Sequence, residues 1–271
     1  MNTKINIVKI KKKYKYKNIV LIRPHMLIPK FSFTGLTTPP LGLAYIAAAA
    51  ENHGHKVKII DAVGEGIDKY TLYQTDYYIH GLNAEEIVKR IPNNTDIIGF
   101  SCMFSHEFPI YKNLINIIKK DFPNSLIVAG GEHITGLPEL SLKECKGLDI
   151  IVLGEGEEVF IELIENYEDG KLNEISGIGY KEKNGEIKIN SRNARIKDIN
   201  TIKKPAWHLV PLEKYWELGK GYGVDLGKGI PMLASRGCPY QCTFCSNPLM
   251  WTTRWTARSP ELVLEEMIEI L

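Results

Sequence analysis

A chain of 271 residues is long enough for one large core or two ordinary ones. Its 44% hydrophobic and 24% charged residues fit a soluble globular protein, and a formal charge of +2 is too small to argue for a nucleic-acid partner. The sequence predicts neither a membrane-spanning helix nor a secretory leader, because no long apolar run and no apolar stretch before a small-residue cleavage site is present.

Residues 1–17 read as a basic, solvated tail carrying Lys9, Lys11, Lys12, Lys13, Lys15 and Lys17. Residues 18–24 read as a buried strand stopped by Pro24, followed by a loop up to Pro40. The Ala-rich stretch 41–52 predicts a helix closed by His53 and Gly54, and 57–61 a strand. A polar stretch through Gly81, with Tyr70, Tyr73, Tyr77 and Tyr78, reads as a surface insertion. Helices are expected over 84–91, 109–122, 137–145 and 159–167, with Ile110, Leu114, Ile117 and Ile118 on one face of the second. Strands are expected over 97–102, 125–129 and 149–153, the last two running into Gly130-Gly-Glu-His133 and Gly154-Glu-Gly-Glu157.

Five apolar strands alternating with helices predict a doubly wound parallel sheet of the flavodoxin-like order. Every unusual loop then follows the carboxyl end of a strand, the edge at which open α/β sheets hold ligands. The alternating pattern over 178–189 around Asn184-Gly185 predicts a hairpin appended to that sheet. Residues 191–229 read as a packed linker with Pro205, Trp207, Pro211, Tyr215, Trp216 and Tyr222. Its Gly219-Lys-Gly-Tyr-Gly223 follows no strand and matches no phosphate-binding fingerprint.

Residues 230–235 read as a further strand, and the segment after it is the most informative in the chain. Cys238, Cys242 and Cys245 form a C-x3-C-x2-C array with the aromatic Phe244 before the last Cys. Three thiolates at this spacing can face one soft metal centre and leave a coordination position open. A zinc site completed by a distant ligand, or ordinary buried thiols, are the plainer alternatives. Five Cys with three clustered points to metal or redox usage in a reducing cytoplasm and not to a disulfide framework. Ser259 and Pro260 then predict a helix start, with Leu264, Met267, Ile268 and Leu271 along one apolar face.

The array resembles the signature of radical S-adenosylmethionine enzymes. The resemblance implies that Cys238, Cys242 and Cys245 ligate three irons of a [4Fe-4S] cluster, with S-adenosylmethionine on the fourth iron and Phe244 beside it. It also implies generation of a 5′-deoxyadenosyl radical, an external one-electron donor such as a flavodoxin or ferredoxin, and an anaerobic cytoplasmic setting. A second resemblance covers roughly residues 18 to 170, where PPLGLAYIAA, GFS, GGEHIT and GEGEEVF are similar to the cobalamin-binding domain of one large subclass of these enzymes. That implies a corrin near Pro39, Leu41, Gly42, Ser101, Gly130, Gly131, His133, Gly154 and Gly156. No Asp-x-His-x-x-Gly stretch is present to supply an axial histidine to cobalt.

The expected organisation is a tail over 1–17, a cobalamin-binding α/β domain over 18–170, a hairpin and linker over 171–229, and the first β/α unit of a partial (β/α) barrel over 230–271. One such unit cannot close a barrel, so the reading is of an enzyme interrupted early in its radical domain or completed by a separate chain. The expected activity is methylation, or rearrangement or cyclisation, of a small organic substrate. A corrinoid-binding module with a vestigial cluster segment and a zinc-stabilised α/β interaction domain are the alternatives.

Overall fold

The structure is a computed structural model and describes residues 16–32, 37–192, 195–217 and 228–270. Residues 1–15, Gly219–Gly223, Tyr222 and Leu271 therefore lie outside the described residues. In chain order the elements are β1 (Asn18–Arg23), β2 (Met26–Pro29), α1 (Leu41–Asn52), β3 (Lys56–Asp61), α2 (Ala62–Glu65), β4 (Tyr70–Tyr73), β5 (Tyr77–His80), α3 (Ala84–Val88), β6 (Ile97–Ser101), α4 (Phe108–Asp121) and β7 (Leu126–Gly130). There follow α5 (Glu132–Gly136), α6 (Pro138–Glu144), β8 (Ile150–Val152), α7 (Gly156–Asn166), β9 (Ile178–Lys181), β10 (Ile187–Ile189), α8 (Leu212–Glu217), β11 (Ser235–Arg236), α9 (Asn247–Trp251), β12 (Thr256–Ala257) and α10 (Pro260–Ile270).

The main sheet has the order β10-β9-β8-β7-β6-β1-β3. Its five parallel strands, taken in chain order, are arranged 2-1-3-4-5, which is the flavodoxin-like order. The expected hairpin extends the same sheet, since β9 pairs antiparallel with β8 and β10 with β9. Strand β1 shows why the parallel strands are apolar throughout. Ile19 and Leu21 face one core with α1 and α7, while Val20 and Ile22 face a second core with α3, α4 and α6. On the α1 side the small residues Ala44, Ala47 and Ala50 are fully buried, so the helix lies close to the sheet.

Several expectations are revised. The stretch through Gly81, expected as a surface insertion, carries strands that the sequence did not announce: β4 and β5 pair antiparallel, and β5 also pairs with β2, forming a second, three-stranded sheet. Its third strand lies in the loop expected before Pro40, a pairing across the chain that local patterning does not reveal. On α4, Ile117 is 44% exposed and the face toward the core is completed by Tyr111 and Ile115. Lys17 is not part of a solvated tail: it is buried, with Nζ donating to the Tyr167 hydroxyl at 3.1 Å and pairing with Glu168. The linker packs as expected, with Ala206, Val210 and Tyr215 joining the α1-side core. The Tyr215 hydroxyl donates to the fully buried Asp61 and accepts from Arg23 at 2.7 Å.

Of the strand expected over 230–235, only Ser235 is realised, in the two-residue strand Ser235–Arg236 paired antiparallel with Thr256–Ala257. Pro231 has no N–H to give a ladder, and the partner strand is two residues long. The helix after Ser259 forms, with Ser259 Oγ 3.4 Å from the Leu262 amide. Its apolar face is outward, since Leu264, Met267 and Ile268 are each at least half exposed, whereas Glu266 is buried on Arg258 at 2.5 Å.

Candidate functional site

Because β1, β6, β7 and β8 run parallel, the loops that follow them lie at one edge of the sheet. The nine residues expected near a ligand lie at the carboxyl edge or on the turns and helix starts that follow it. Pro39, Leu41 and Gly42 enter α1, and no atom lies within 4 Å of where a Gly42 side chain would begin. Ser101 ends β6 and Gly130 ends β7. Gly131 has φ +113°, and an added Cβ would lie 2.6 Å from the Cys102 carbonyl oxygen, so only glycine lets the chain pass that carbonyl. Gly154 sits in the turn after β8 beneath the Arg192 guanidinium, and Gly156 opens α7 against Ile46.

His133 is buried, and both ring nitrogens are engaged, Nδ1 with Ser105 Oγ at 2.9 Å and Nε2 with Ser141 Oγ at 3.3 Å. Its ring lies 4.1 Å from that of Phe108, and burial holds its pKa below the ordinary value. It is a neutral imidazole tying the 102–107 loop to α6. Around it the edge is open and partly apolar, with Met103, Phe104, Leu137 and Leu140 between 40% and 49% exposed. A flat, largely apolar macrocycle could cover such a surface, and the open position at Gly42 would tolerate it. An open cavity of about 450 Å³, lined by Lys119, Asp149 and Lys181 among others, lies instead at the opposite, amino-terminal edge.

The Cys array is held against the carboxyl edge on both flanks. Before it, Arg236 is buried, its Nη1 donating to Glu155 at 3.1 Å and its Nη2 to Glu157. Glu155 also accepts from Arg195 Nε at 3.3 Å and from the Ile196 amide at 3.0 Å. The guanidinium of Arg236 lies over the Tyr45 and Trp251 rings, 5.5 and 5.1 Å from their centres. Gly237 has φ +86°, and the space a side chain would take there is filled by the Arg254 carbonyl and the Arg195 guanidinium. After the array, Ser246 Oγ donates to Glu132 at 2.9 Å, and the Arg192 guanidinium donates to the Leu249 and Met250 carbonyls.

Between these anchors residues 239–246 are all exposed, with Phe244 at 90%, Cys242 and Cys245 open to solvent and Cys238 half-buried. Three thiols on one loop suit the donor chemistry of an iron–sulfur cluster. No group of three His, Cys, Asp or Glu side chains converges to hold a metal ion among the described residues. The array is a row of donors at a fixed place, not a closed cage.

Sequence reasoning missed Glu132, Glu155, Glu157, Arg195, Arg236 and Trp251 as parts of this site. The available signal was charge, two carboxylates in one turn and an arginine beside the array, but nothing in the sequence pairs them.

Residues 34–164 match the B12 binding domain. An uncharacterized methyltransferase of Pyrococcus horikoshii is 34% identical over 255 residues, 93% of this chain and 50% of that protein. Cytidylyl-2-hydroxyethylphosphonate methyltransferase of Streptomyces wedmorensis is 28% identical over 94% of this chain and 52% of its own length. The anaerobic magnesium-protoporphyrin IX monomethyl ester cyclase of Cereibacter sphaeroides is 29% identical over 86% and 35%. The chain thus spans about half the length, or less, of these curated relatives. Among solved structures, the cobalamin-dependent S-adenosylmethionine radical enzyme OxsB, with aqua-cobalamin and S-adenosylmethionine bound, shares the fold with a TM-score of 0.71 at 21% identity, over 95% of this chain and 32% of that one. The radical S-adenosylmethionine methyltransferase TsrM of Kitasatospora setae gives 0.63 at 16% identity, over 94% and 45%. The chain therefore has the B12-binding, Rossmann-like fold over residues 34–164, and its similarity to the two methyltransferases runs on past that region through the Cys segment.

Proposed function

We propose that this chain acts in cobalamin-dependent radical S-adenosylmethionine chemistry, methylating, rearranging or cyclising a small organic substrate. The observation that carries the reading is the seating of the Cys array on the carboxyl edge of a B12-type sheet, through Arg236 on one side and Ser246 on the other. In this reading Cys238, Cys242 and Cys245 hold three irons of a [4Fe-4S] cluster, and Phe244 lies beside S-adenosylmethionine. The corrin rests on the edge built by Pro39, Leu41, Gly42, Ser101, Gly130, Gly131, Gly154 and Gly156, supported from below by His133. When bound, these cofactors would supply one-electron cleavage of S-adenosylmethionine and a transferable methyl group.

What the chain itself contributes is placement. His133 has no free nitrogen for cobalt and serves to hold the 102–107 loop. The buried charges around Arg236 fix the array relative to the sheet, so that two reactive cofactors would share one edge. An external one-electron donor, such as a flavodoxin or ferredoxin, and a reducing, anaerobic cytoplasm fit an exposed cluster loop.

Anaerobic reconstitution of the chain with iron and sulfide tests the reading. The expected result is about four irons per chain and a broad absorbance near ~400 nm, both lost in Cys242→Ala. Added cobalamin should remain with the protein through gel filtration. One zinc and no iron would overturn the cluster and favour a zinc-stabilised interaction domain. Retained cobalamin with no iron under any condition would leave a corrinoid carrier.

A further inference from the structure

The three acidic residues of the two glycine turns point away from any role as corrin contacts. Glu132, Glu155 and Glu157 each spend a carboxylate oxygen on the Cys segment or on the arginine leading into it. We infer that these three glutamates form a two-sided clamp that positions the Cys array on the carboxyl edge, with Arg236 and Ser246 as its counterparts and Arg195 as its brace. The inference rests on the proposed function for its purpose, and on the hydrogen bonds alone for its existence.

The geometry is that of a strap held at both ends. Arg236 is the last buried residue before the loop, and the chain stays exposed from 239 to 246. Within the loop, the Cys245 amide donates to the Cys242 carbonyl at 3.1 Å and the Asn247 amide lies 3.4 Å from Cys245 Sγ. These bonds shape the loop without tying it to the sheet. Its place on the sheet is set by the flanks.

The chemistry of the clamp suits orientation better than adhesion. Glu155, Glu157, Arg195 and Arg236 are all at most 9% exposed and their formal charges sum to zero. Apolar contacts of the same size would hold the segment about as firmly, because burying ions costs nearly what their attraction returns. A slip of the segment along an apolar face would cost little. A slip here leaves a buried charge without its partner, which is far costlier. Arg236 is also restrained, since two carboxylates accept from it and two aromatic rings lie within 5.5 Å of its guanidinium. Both acidic residues come from the turn after β8 and the start of α7, so the sheet itself sets where the loop begins.

Hydrogen exchange on the whole chain without cofactors tests the clamp directly. In Glu157→Gln, and in Arg236→Lys, which keeps the charge but loses the planar fork, the hydrogen-bonded amides of Cys245, Leu249 and Met250 should exchange about tenfold faster, the size expected when a charge-assisted hydrogen bond is lost. Amides of β1 and β6 should be unchanged. Ser246→Ala, at an exposed position that cannot unfold the core, should give a smaller increase in the same peptide. Unchanged loop exchange in folded Arg236→Lys and Ser246→Ala would overturn the clamp. Wild-type-like exchange in Arg236→Lys alone would reduce it to simple charge neutralisation and overturn the positioning role. Iron loading, measured separately on the same variants, keeps the outcomes apart: a clamp without any cluster in the parent chain removes the proposed function and leaves the clamp standing.

Discussion

Arg236 and Glu155 are 81 positions apart in the chain and meet at 3.1 Å, both buried, where the Cys segment lies on the carboxyl edge of the sheet. Glu155 gathers two guanidinium groups and one backbone amide, so its charge is the hub of the junction. Replacing it by Gln leaves Arg195 and Arg236 with one carboxylate between them. Glu155→Gln should lower the unfolding free energy by about 3–5 kcal/mol, the cost of breaking a buried pair from one side. A urea titration followed by circular dichroism measures this. A loss under about 1 kcal/mol would mean that water reaches the pair.

The glycines of the edge should not respond alike. Gly131→Ala forces a methyl group toward the Cys102 carbonyl at a positive φ, and should destabilise by about 1–3 kcal/mol. Gly42→Ala meets no neighbour and lies in α1, where alanine is the better helix former. Its midpoint should stay level or rise by up to about 1 kcal/mol equivalent. Weakened cobalamin retention by folded Gly42→Ala would then report a ligand contact at that position, free of any stability effect.

Burial holds the imidazoles of His25, His55 and His133 below their ordinary 6.5. Unfolded imidazoles protonate first as pH falls, so the unfolded chain binds more protons below 6.5. The stability these groups contribute is therefore complete above 6.5 and is lost progressively as pH falls through and below it. Unfolding free energy measured from pH 7.5 to 5 should decline with a slope that flattens in His55→Leu. His55 is the informative one, because both of its nitrogens are buried without a hydrogen-bond partner among the described residues. Its replacement should also stabilise the fold by about 1 kcal/mol or more. A pH slope unaltered in His55→Leu would remove His55 from the account.

The five thiols should separate by accessibility. Cys242 and Cys245 are exposed and Cys238 half-buried, while Cys102 and Cys145 are fully buried. Burial pushes the Cys102 thiol far up and that of Cys145 to about 11, which keeps both as poor nucleophiles. Under reducing, metal-free conditions an alkylating reagent followed by mass spectrometry should label the three array thiols of the native chain, and the other two only after unfolding. Protection of all five would mean that the array is covered in solution.

Much of the main fold was legible because its strands repeat one pattern. A parallel strand buried on both faces must be apolar throughout, and β1, β6, β7 and β8 announce themselves in that way. Helix α1 was legible to its ends, since Pro40 precedes it and His53-Gly54 close it. The three-stranded sheet was not legible, because β2 pairs with β5 across some fifty positions and its four residues carry no alternation of their own. The orientation of α10 was not legible either. Its apolar stripe at Leu264, Met267 and Ile268 implies burial, yet Glu266 is the residue turned inward, drawn by Arg258.

The Cys array has the same two-part character. Residue types and spacing alone established three soft donors on one short loop and an aromatic before the last, because ligand chemistry is a property of neighbouring residues. The tertiary structure alone decided that this loop lies on the carboxyl edge of the sheet and that Glu132, Glu155 and Glu157 hold it there. A charge pair between distant residues costs nothing to leave unmade in an extended chain. Only folding removes the water that would otherwise serve each ion, and so makes Arg236 need the two glutamates it meets.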